Sequence, residues 1–340
     1  MPAVNFHLQN SIIKVPASTV SWYEKSRPNA MDQVAPFVFE LTNDSAKTDM
    51  KKFILSLFLV STLIGSAQAY LDVVRLNYTY SPPNGLNDKK SPLQSNFLTA
   101  DITLPIELKK DGDAFIINPF FTNNQGEVAT KDFHVISEGL LIGFLKKEIS
   151  PNWNLLSSFI VRRNSEVNIE SKDEWQYGGV LLTTWKKNQD LSFKFGLYYN
   201  KEFFGNYFMP LVGLDWKIDA KNNLFGVLPG NMIFEHKVTP RFYYGFAFRA
   251  FTNSYRQEFI VDPSALILEA NNYLRIDDNP LGIYADTYLS KKIVLSAEAG
   301  YTILRRYRYG FKSENVHIKT DYKNDNFYFK ASLAYRLRFR

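Results

Sequence analysis

The side chains best placed to do chemistry are charged residues that recur at alternate positions, mostly near the end of the chain. They are Arg75, Asp101, Glu107, Glu298, Arg306, Arg308, Lys330, Arg336 and Arg338. Alternate spacing places such residues on one face of a β-strand. If that face is enclosed, the charges either pair with one another as an internal salt-bridge network or form a cationic wall that biases a narrow pore toward anions. The sequence leaves both uses open.

The last segment shows most clearly which element carries these charges. From Phe327 to Phe339 the odd positions are Phe, Phe, Ala, Leu, Tyr, Leu and Phe, and the even positions are mainly polar or basic. Only a β-strand separates two such sets onto opposite faces. Strands of this kind are typical of a transmembrane barrel, in which apolar residues meet lipid, aromatic residues lie at the two interfaces and polar residues face inward.

The composition supports this interpretation and excludes others. The chain of 340 residues has 28 Phe, 20 Tyr and no Cys. Without cysteine, no disulfide, thiolate metal site or thiol nucleophile can form. After residue 70 no apolar run is long enough for a membrane-spanning helix. The net charge of +6 is modest, and we expect no nucleic-acid partner.

Twelve segments after residue 70 alternate in the manner of strands, which predicts an all-β, antiparallel, up-and-down transmembrane barrel of about twelve strands. They are Leu71–Tyr80, Phe97–Leu108, Ala114–Thr122, Phe133–Lys146, Trp153–Arg162, Trp175–Trp185, Leu191–Asn200, Tyr207–Ile218, Phe242–Thr252, Leu281–Leu289, Ile293–Arg308 and Phe327–Phe339. Residues 256–280 are expected to form the longest external excursion, with a short strand of its own around Leu266–Tyr273. Short turns should lie at the periplasmic end and long loops outside.

One segment makes the strand number ambiguous. Residues 224–238 lie between two short turns, around 219–223 and 239–241. These fifteen residues are too few for two strands of about 9–11 residues each. Twelve strands are favoured for that reason, with 224–238 as a small hairpin, and fourteen is the alternative.

An export signal is predicted inside the chain. Lys51 and Lys52 precede an apolar run that ends near Gly65, and Ala67-Gln68-Ala69 has the small-x-small pattern of a cleavage site. We therefore expect residues 50–69 to be a signal peptide and residues 70–340 to be the barrel. Residues 1–49 are interpreted as a disordered, non-native upstream extension.

The C-terminus resembles a known assembly signal. Tyr335-Arg336-Leu337-Arg338-Phe339 is similar to the terminal strand that outer-membrane barrels present to their insertion machinery, although Arg340 follows the Phe. With the signal peptide and the alternating strands, residues 50–340 resemble uncharacterised barrel families of Gram-negative bacteria that carry only a domain-of-unknown-function label. The resemblance implies the fold and an outer-membrane location, and it transfers no functional residue.

An enzymatic function is not expected. The outer-membrane phospholipases are also barrels and need a serine, a histidine and an orienting polar group. The three histidines after residue 70 are His134, His236 and His317, and His134 lacks the Ser-Asn-Gly that follows the histidine in that family. Their separation in the sequence also predicts no metal site, and no cofactor is expected.

Two functions remain for a barrel of this kind. The favoured one is a narrow pore or transport barrel for small solutes in the outer membrane. The alternative is a closed structural or surface-interaction barrel that acts through its external loops. The expected partners are outer-membrane lipid and the barrel assembly machinery.

Overall fold

The computed structural model describes residues 69–83, 94–108, 112–128, 131–167, 174–260, 268–311 and 320–339. No helix in these ranges is long and apolar enough to cross a membrane. The β-segments are β1 (Tyr70–Ser81), β2 (Ser95–Ile102), β3 (Leu104–Glu107), β4 (Ala114–Val128), β5 (Lys131–Ser150), β6 (Trp153–Glu166), β7 (Trp175–Lys186), β8 (Leu191–Glu202), β9 (Gly205–Lys217), β10 (Asn222–Leu228), β11 (Asn231–Thr239), β12 (Phe242–Arg249), β13 (Phe251–Ile260), β14 (Leu268–Asp278), β15 (Pro280–Tyr288), β16 (Ile293–Thr302), β17 (Arg306–Phe311), β18 (Thr320–Lys323) and β19 (Phe327–Arg338).

These segments form one closed antiparallel barrel, as predicted. β1 pairs with β2 on one side and with β19 on the other, so the sheet has no free first or last strand. Five strands of the wall are interrupted and consist of two segments each, namely β2–β3, β12–β13, β14–β15, β16–β17 and β18–β19. The nineteen described segments therefore make fourteen strands. The alternative number is confirmed, and the favoured number of twelve is wrong.

The miscount came from residues 224–238, which form two wall strands. β10 has 7 residues and β11 has 9, and both pair with their neighbours in the wall. The turn before β10 is held by Asp219, whose carboxylate accepts hydrogen bonds from Asn222 Nδ2 at 2.6 Å and from Lys221 N at 2.7 Å. These bonds hold the pKa of Asp219 below its usual value. The minimum strand length assumed from the sequence therefore did not apply to this hairpin.

The short hairpin lowers the barrel wall on one side. We call the end where Tyr70 pairs with Arg338 the terminal end, and the opposite end the distal end. Leu228 of β10 pairs with Val212 of β9, so residues 205–211 of β9 extend beyond β10 toward the distal end. The distal rim of the barrel is therefore lowest between β9 and β12.

The outer surface is apolar and carries aromatic residues near both ends. At the terminal end Trp153 and Trp185 stack with ring centroids 6.2 Å apart. Near the distal end Tyr199 and Phe208 lie 4.8 Å apart. Between them exposed aliphatic residues such as Leu181 alternate with inward-facing residues. Aromatic bands that flank an aliphatic zone are typical of a barrel that meets lipid.

The distal end of the lumen contains an inner hairpin, β13–β14, which the sequence had placed outside as a loop. Arg256 of β13 forms a parallel bridge with Ser165 of β6, a strand that is not a neighbour of β13 in the wall. Ser254, Tyr255 and Arg256 are all buried, which shows that both faces of β13 are covered. The inner hairpin therefore folds across the lumen.

The predictions for the beginning of the chain fall largely outside the described residues. These are the upstream extension, the signal peptide of residues 50–69 and Ala67 at its cleavage site. Ala69 is described, and its carbonyl oxygen accepts a hydrogen bond from Phe339 N at 3.1 Å.

Candidate functional site: the barrel lumen

Two of the predicted basic residues of β19, Arg336 and Arg338, lie at the terminal end of the lumen and are paired. Arg336 bonds Asp72 of β1 through Nε and Asp286 of β15 through Nη1, each at 2.5 Å. Arg338 forms an ion pair with Glu235 of β11. All these carboxylates are at least nine-tenths buried as side chains. The pairs connect strands on both sides of the closing seam. They give each of these buried charges a partner of opposite sign, and an unpaired buried charge would be costly.

Midway along the lumen, two carboxylates lie among three cations. Glu298 of β16 accepts a hydrogen bond from Arg249 of β12 at 2.5 Å, and Lys330 Nζ lies 3.9 Å from its other oxygen. Arg75 of β1 pairs with Asp101 of β2 at 3.0 Å. This part of the lumen therefore has an excess of one positive charge.

The remaining predicted charges lie nearer the rims. Arg308 pairs with Asp277 at 3.1 Å, and Arg306 pairs with Asp321 at 3.4 Å across the β17–β18 hairpin. Glu107 is half-buried at the terminal end of β3. These residues do not reach the group around Arg75, so the structure divides the predicted set into separate regions.

A polar cluster that sequence analysis did not identify holds the inner hairpin to the wall. Arg162 of β6 and Glu202 of β8 form a buried ion pair with Nη2 and Oε1 2.5 Å apart. Arg162 Nη1 donates to Asn253 Oδ1 at 2.9 Å, and Gln176 Nε2 donates to Ser254 Oγ at 3.0 Å. We call Arg162, Gln176, Glu202, Asn253 and Ser254 the latch. Its wall residues and hairpin residues are far apart in sequence, so no local motif indicates it.

Apolar packing covers the other side of the inner hairpin. The buried cluster joins strands β5, β13, β14 and β17. Its members are Phe133, Val135, Tyr255, Leu274, Ile276, Tyr307 and Tyr309. Buried aromatic residues of this size exclude water from the space that they fill. The distal lumen is therefore packed in this structure.

The turn between β8 and β9 also contacts the inner hairpin. The guanidinium of Arg256 lies 4.1 Å from the ring centre of Phe203, and that of Arg275 lies 4.1 Å from that of Phe204. Such stacked cations and rings attract each other modestly. These contacts reach across the low part of the wall above the β10–β11 hairpin.

Three cavities occupy the lumen between the latch and the terminal end. Their volumes are about 320, 550 and 190 Å³. Arg75 lines all three, and its side chain is 45% exposed. The cavities therefore meet at one basic residue.

The largest of these three cavities is lined in part by polar residues, among them Asn118, Thr122 and Ser158. Another part of its wall is apolar, which differs from the polar interior expected of such a barrel. Inward-facing side chains of four consecutive wall strands, β4 to β7, form it. They are Ile116, Phe120, Leu141, Leu156 and Val180. We call these five residues the apolar wall. The strand alternation predicted that β4 to β7 face the lumen with every second residue, but it did not show how apolar that face is.

The two described histidines are not part of the lumen group. His134 Nε2 lies 3.1 Å from Asn123 Oδ1, and His236 Nδ1 lies 2.7 Å from Asn222 Oδ1. His317 lies outside the described residues. Within the described part of the chain no group of three or more His, Cys, Asp or Glu side chains is arranged to hold a metal ion.

Solved structures resemble this chain only at low identity and low TM-score. An outer membrane channel from Pseudomonas putida F1 is 10% identical, with 79% of this chain and 96% of that chain covered and a TM-score of 0.41. The toluene transporter TodX from P. putida is 10% identical over 82% and 92% of the two chains, with a TM-score of 0.37. The NanC porin is 8% identical over 78% and 100%, with a TM-score of 0.36.

Family membership rests on the sequence itself. The comparison with curated proteins finds no match. The model of a family described as "Domain of unknown function (DUF6268)" matches residues 121–340, which is more than half of the chain and includes β5 to β19. The predicted resemblance to an uncharacterised barrel family is confirmed. The chain therefore belongs to the DUF6268 family.

Proposed function

We propose that this protein is an outer-membrane pore or transport barrel for small solutes, closed at its distal end by the inner hairpin. The observation that supports the proposal most strongly is the set of lumen cavities that meet at Arg75 below the latch. The lumen below the inner hairpin holds these cavities. At its edge beside β6, the hairpin is joined to the wall by a single described backbone pair, between β13 and β6. On its other edge the hairpin stays paired with β17 through β14, so it can move away from β6 about that edge without opening the barrel wall.

An outer-membrane location is part of the proposal. The exposed aliphatic zone and its two aromatic bands fit a lipid bilayer. The predicted partners follow from it, namely outer-membrane lipid on the outer face and the assembly machinery on β19.

If β19 is the assembly signal, the double variant Tyr335→Ala/Phe339→Ala should be exported but fail to reach the folded, membrane-inserted state.

Solute flux tests the pore directly. The purified barrel is reconstituted into liposomes, which are placed in isotonic solutions of sugars of increasing size. We expect swelling with the smallest sugars, and faster swelling when Glu202→Gln weakens the latch. Liposomes without protein give the baseline. If neither the wild type nor the Glu202→Gln variant, both verified as folded, exceeds that baseline, the pore function is wrong.

The packed distal end favours a second function. The buried cluster around Phe133 and Tyr255 supports a permanently closed barrel, with its distal connections as the binding surface. That function predicts no flux from any latch variant, together with loss of surface binding when distal connections are shortened.

A further inference from the structure

The lumen combines an apolar wall with a basic residue, Arg75, that keeps an unused hydrogen-bond donor beside its ion pair with Asp101. The apolar wall of β4 to β7 and the Arg75–Asp101 pair line the same cavity of about 550 Å³. Ligand sites are typically apolar cavities with a few polar groups that fix orientation. Water alone does not require such a wall, since inward-facing residues of water-filled barrels are polar.

Arg75 keeps donor capacity in spite of its ion pair. Nε and Nη2 both contact the same oxygen of Asp101, Oδ1, at 3.0 Å. Among the described residues Nη1 of Arg75 has no hydrogen-bond partner. Lys330 Nζ lies 3.9 Å from Glu298, which is beyond hydrogen-bond distance. Two cations can therefore donate to a further acceptor.

The surrounding charges favour an anion over a cation. Arg75, Arg249, Arg305 and Lys330 line the cavity on the distal side of Arg75, where the lining carboxylates are Asp278 and Glu298. In the cavity toward the terminal end, cations and carboxylates are equal in number. The positive excess therefore lies on the distal side of Arg75, in the cavity that Lys330 also lines.

We infer that the lumen binds small molecules that join an apolar body to an anionic group, of which an aromatic carboxylate is the simplest kind. The carboxylate lies at Arg75, and the ring lies on the apolar wall around Phe120 and Leu141. This inference deepens the proposed pore function and names the class of solute.

Simpler ligands use only half of this arrangement. A neutral hydrocarbon covers the apolar wall but takes water from Arg75 without replacing its hydrogen bonds, which is unfavourable. A small inorganic anion satisfies Arg75 and leaves the apolar wall in contact with water. A molecule with both parts satisfies both.

Equilibrium dialysis of the full-length detergent-solubilised barrel tests this without requiring conduction. The probes are benzoate, benzyl alcohol, benzylammonium and acetate. We expect benzoate to bind about tenfold more tightly than each of the others, as one charge-assisted hydrogen bond to a ring-bearing ligand would give. Equal binding of benzoate and acetate, or tighter binding of benzylammonium than of benzoate, would overturn the inference.

Two lumen variants separate the roles of charge and apolar wall. Arg75→Gln should reduce benzoate binding to the level of benzyl alcohol and leave benzyl alcohol unchanged. Leu141→Asn should weaken both ligands. Lys187→Gln, in an exposed turn at the terminal end, is the matched charge control and should change neither. Unchanged benzoate binding by a folded Arg75→Gln barrel contradicts the inference.

The binding and flux results can fail independently. A barrel that binds benzoate at Arg75 but transmits no solute contradicts the pore function and leaves the ligand site supported. A barrel that transmits sugars but binds benzoate no better than acetate retains the pore function and loses the ligand site.

Discussion

Glu202 shows how one residue joins the wall to the inner hairpin. Its Oε1 accepts hydrogen bonds from Arg162 at 2.5 Å and Asn200 at 2.8 Å. Its Oε2 accepts from Ser254 Oγ at 2.6 Å and from Gln176 at 3.1 Å. The carboxylate is fully buried, so its charge is balanced by Arg162 and not by solvent. The latch depends on that balance.

Glu202→Gln removes the charge and leaves the Arg162 guanidinium buried without a counter-ion. Loss of one partner of a buried pair costs about 3–5 kcal/mol. We expect the variant to spend far more time in a conducting state, measured as the open fraction of single channels. Glu138→Gln is the control, because its pair with Arg163 is half exposed and is expected to contribute less than about 1 kcal/mol. Equal open fractions in the two variants would exclude Glu202 as the latch residue.

Arg336 is the residue whose loss should most weaken the closing seam. Arg336→Met leaves Asp72 and Asp286 buried without their cation, which is expected to reduce the free energy of unfolding by about 3–5 kcal/mol. Urea unfolding in detergent, followed by tryptophan fluorescence, measures it. The control is Arg306→Met, which removes a pair at the rim whose two side chains are 33% and 28% exposed. It should lower the free energy of unfolding by less than about 1 kcal/mol. Similar unfolding midpoints for both variants would show that the seam does not depend on these pairs.

At the scale of elements, alternation predicted most wall strands and their facing. Leu71–Tyr80 corresponds to β1, and the even positions of β19 face inward as predicted. The predicted strand Ala114–Thr122 was too short, because residues 123–126, Asn-Asn-Gln-Gly, continue β4 and pair with residues 133–136 of β5. Residues that often form turns can continue a strand when a neighbouring strand is long enough to form hydrogen bonds with their backbone.

The inward position of the inner hairpin could not be predicted, although a short strand was expected around Leu266–Tyr273, because both faces of the hairpin are covered and its sequence lacks the alternation of a wall strand. The short β10–β11 hairpin was missed for a related reason. Its strands of 7 and 9 residues are shorter than the minimum length assumed from the thickness of a bilayer. Both errors occurred on the same side of the barrel, where the distal wall is incomplete.

Gly226 of β10 tests the geometry of that short hairpin. Its φ of +146° is unfavourable for other residues, and an added Cβ would lie 2.4 Å from Asn231 O. Gly226→Ala should therefore lower the stability of the barrel by about 1–3 kcal/mol, measured by urea unfolding. Gly230→Ala is the matched control, since its added Cβ would lie 3.3 Å from the nearest backbone atom. A Gly226→Ala barrel as stable as the Gly230→Ala barrel would contradict the described hairpin.

For the whole molecule, the sequence indicated a closed barrel with a charged interior, and the structure adds an asymmetric lumen. One side is built from ion pairs on β1, β15, β16 and β19, and the other is the apolar wall of β4 to β7. The distal end is closed by a hairpin that belongs to the wall in sequence but crosses the lumen. A barrel of this design can close without a separate plug domain.

The most direct test of this account is to lock the inner hairpin with a disulfide. Ser165 and Arg256 are bridge partners in adjacent strands, a separation of about 4.8 Å that suits a disulfide, and the chain has no other cysteine. Single-channel conductance of Ser165→Cys/Arg256→Cys should be absent when oxidised and should appear after reduction, whereas Ser165→Cys alone should not respond to reductant. Equal conductance before and after reduction, with the disulfide verified, would contradict the inner hairpin as the closing element.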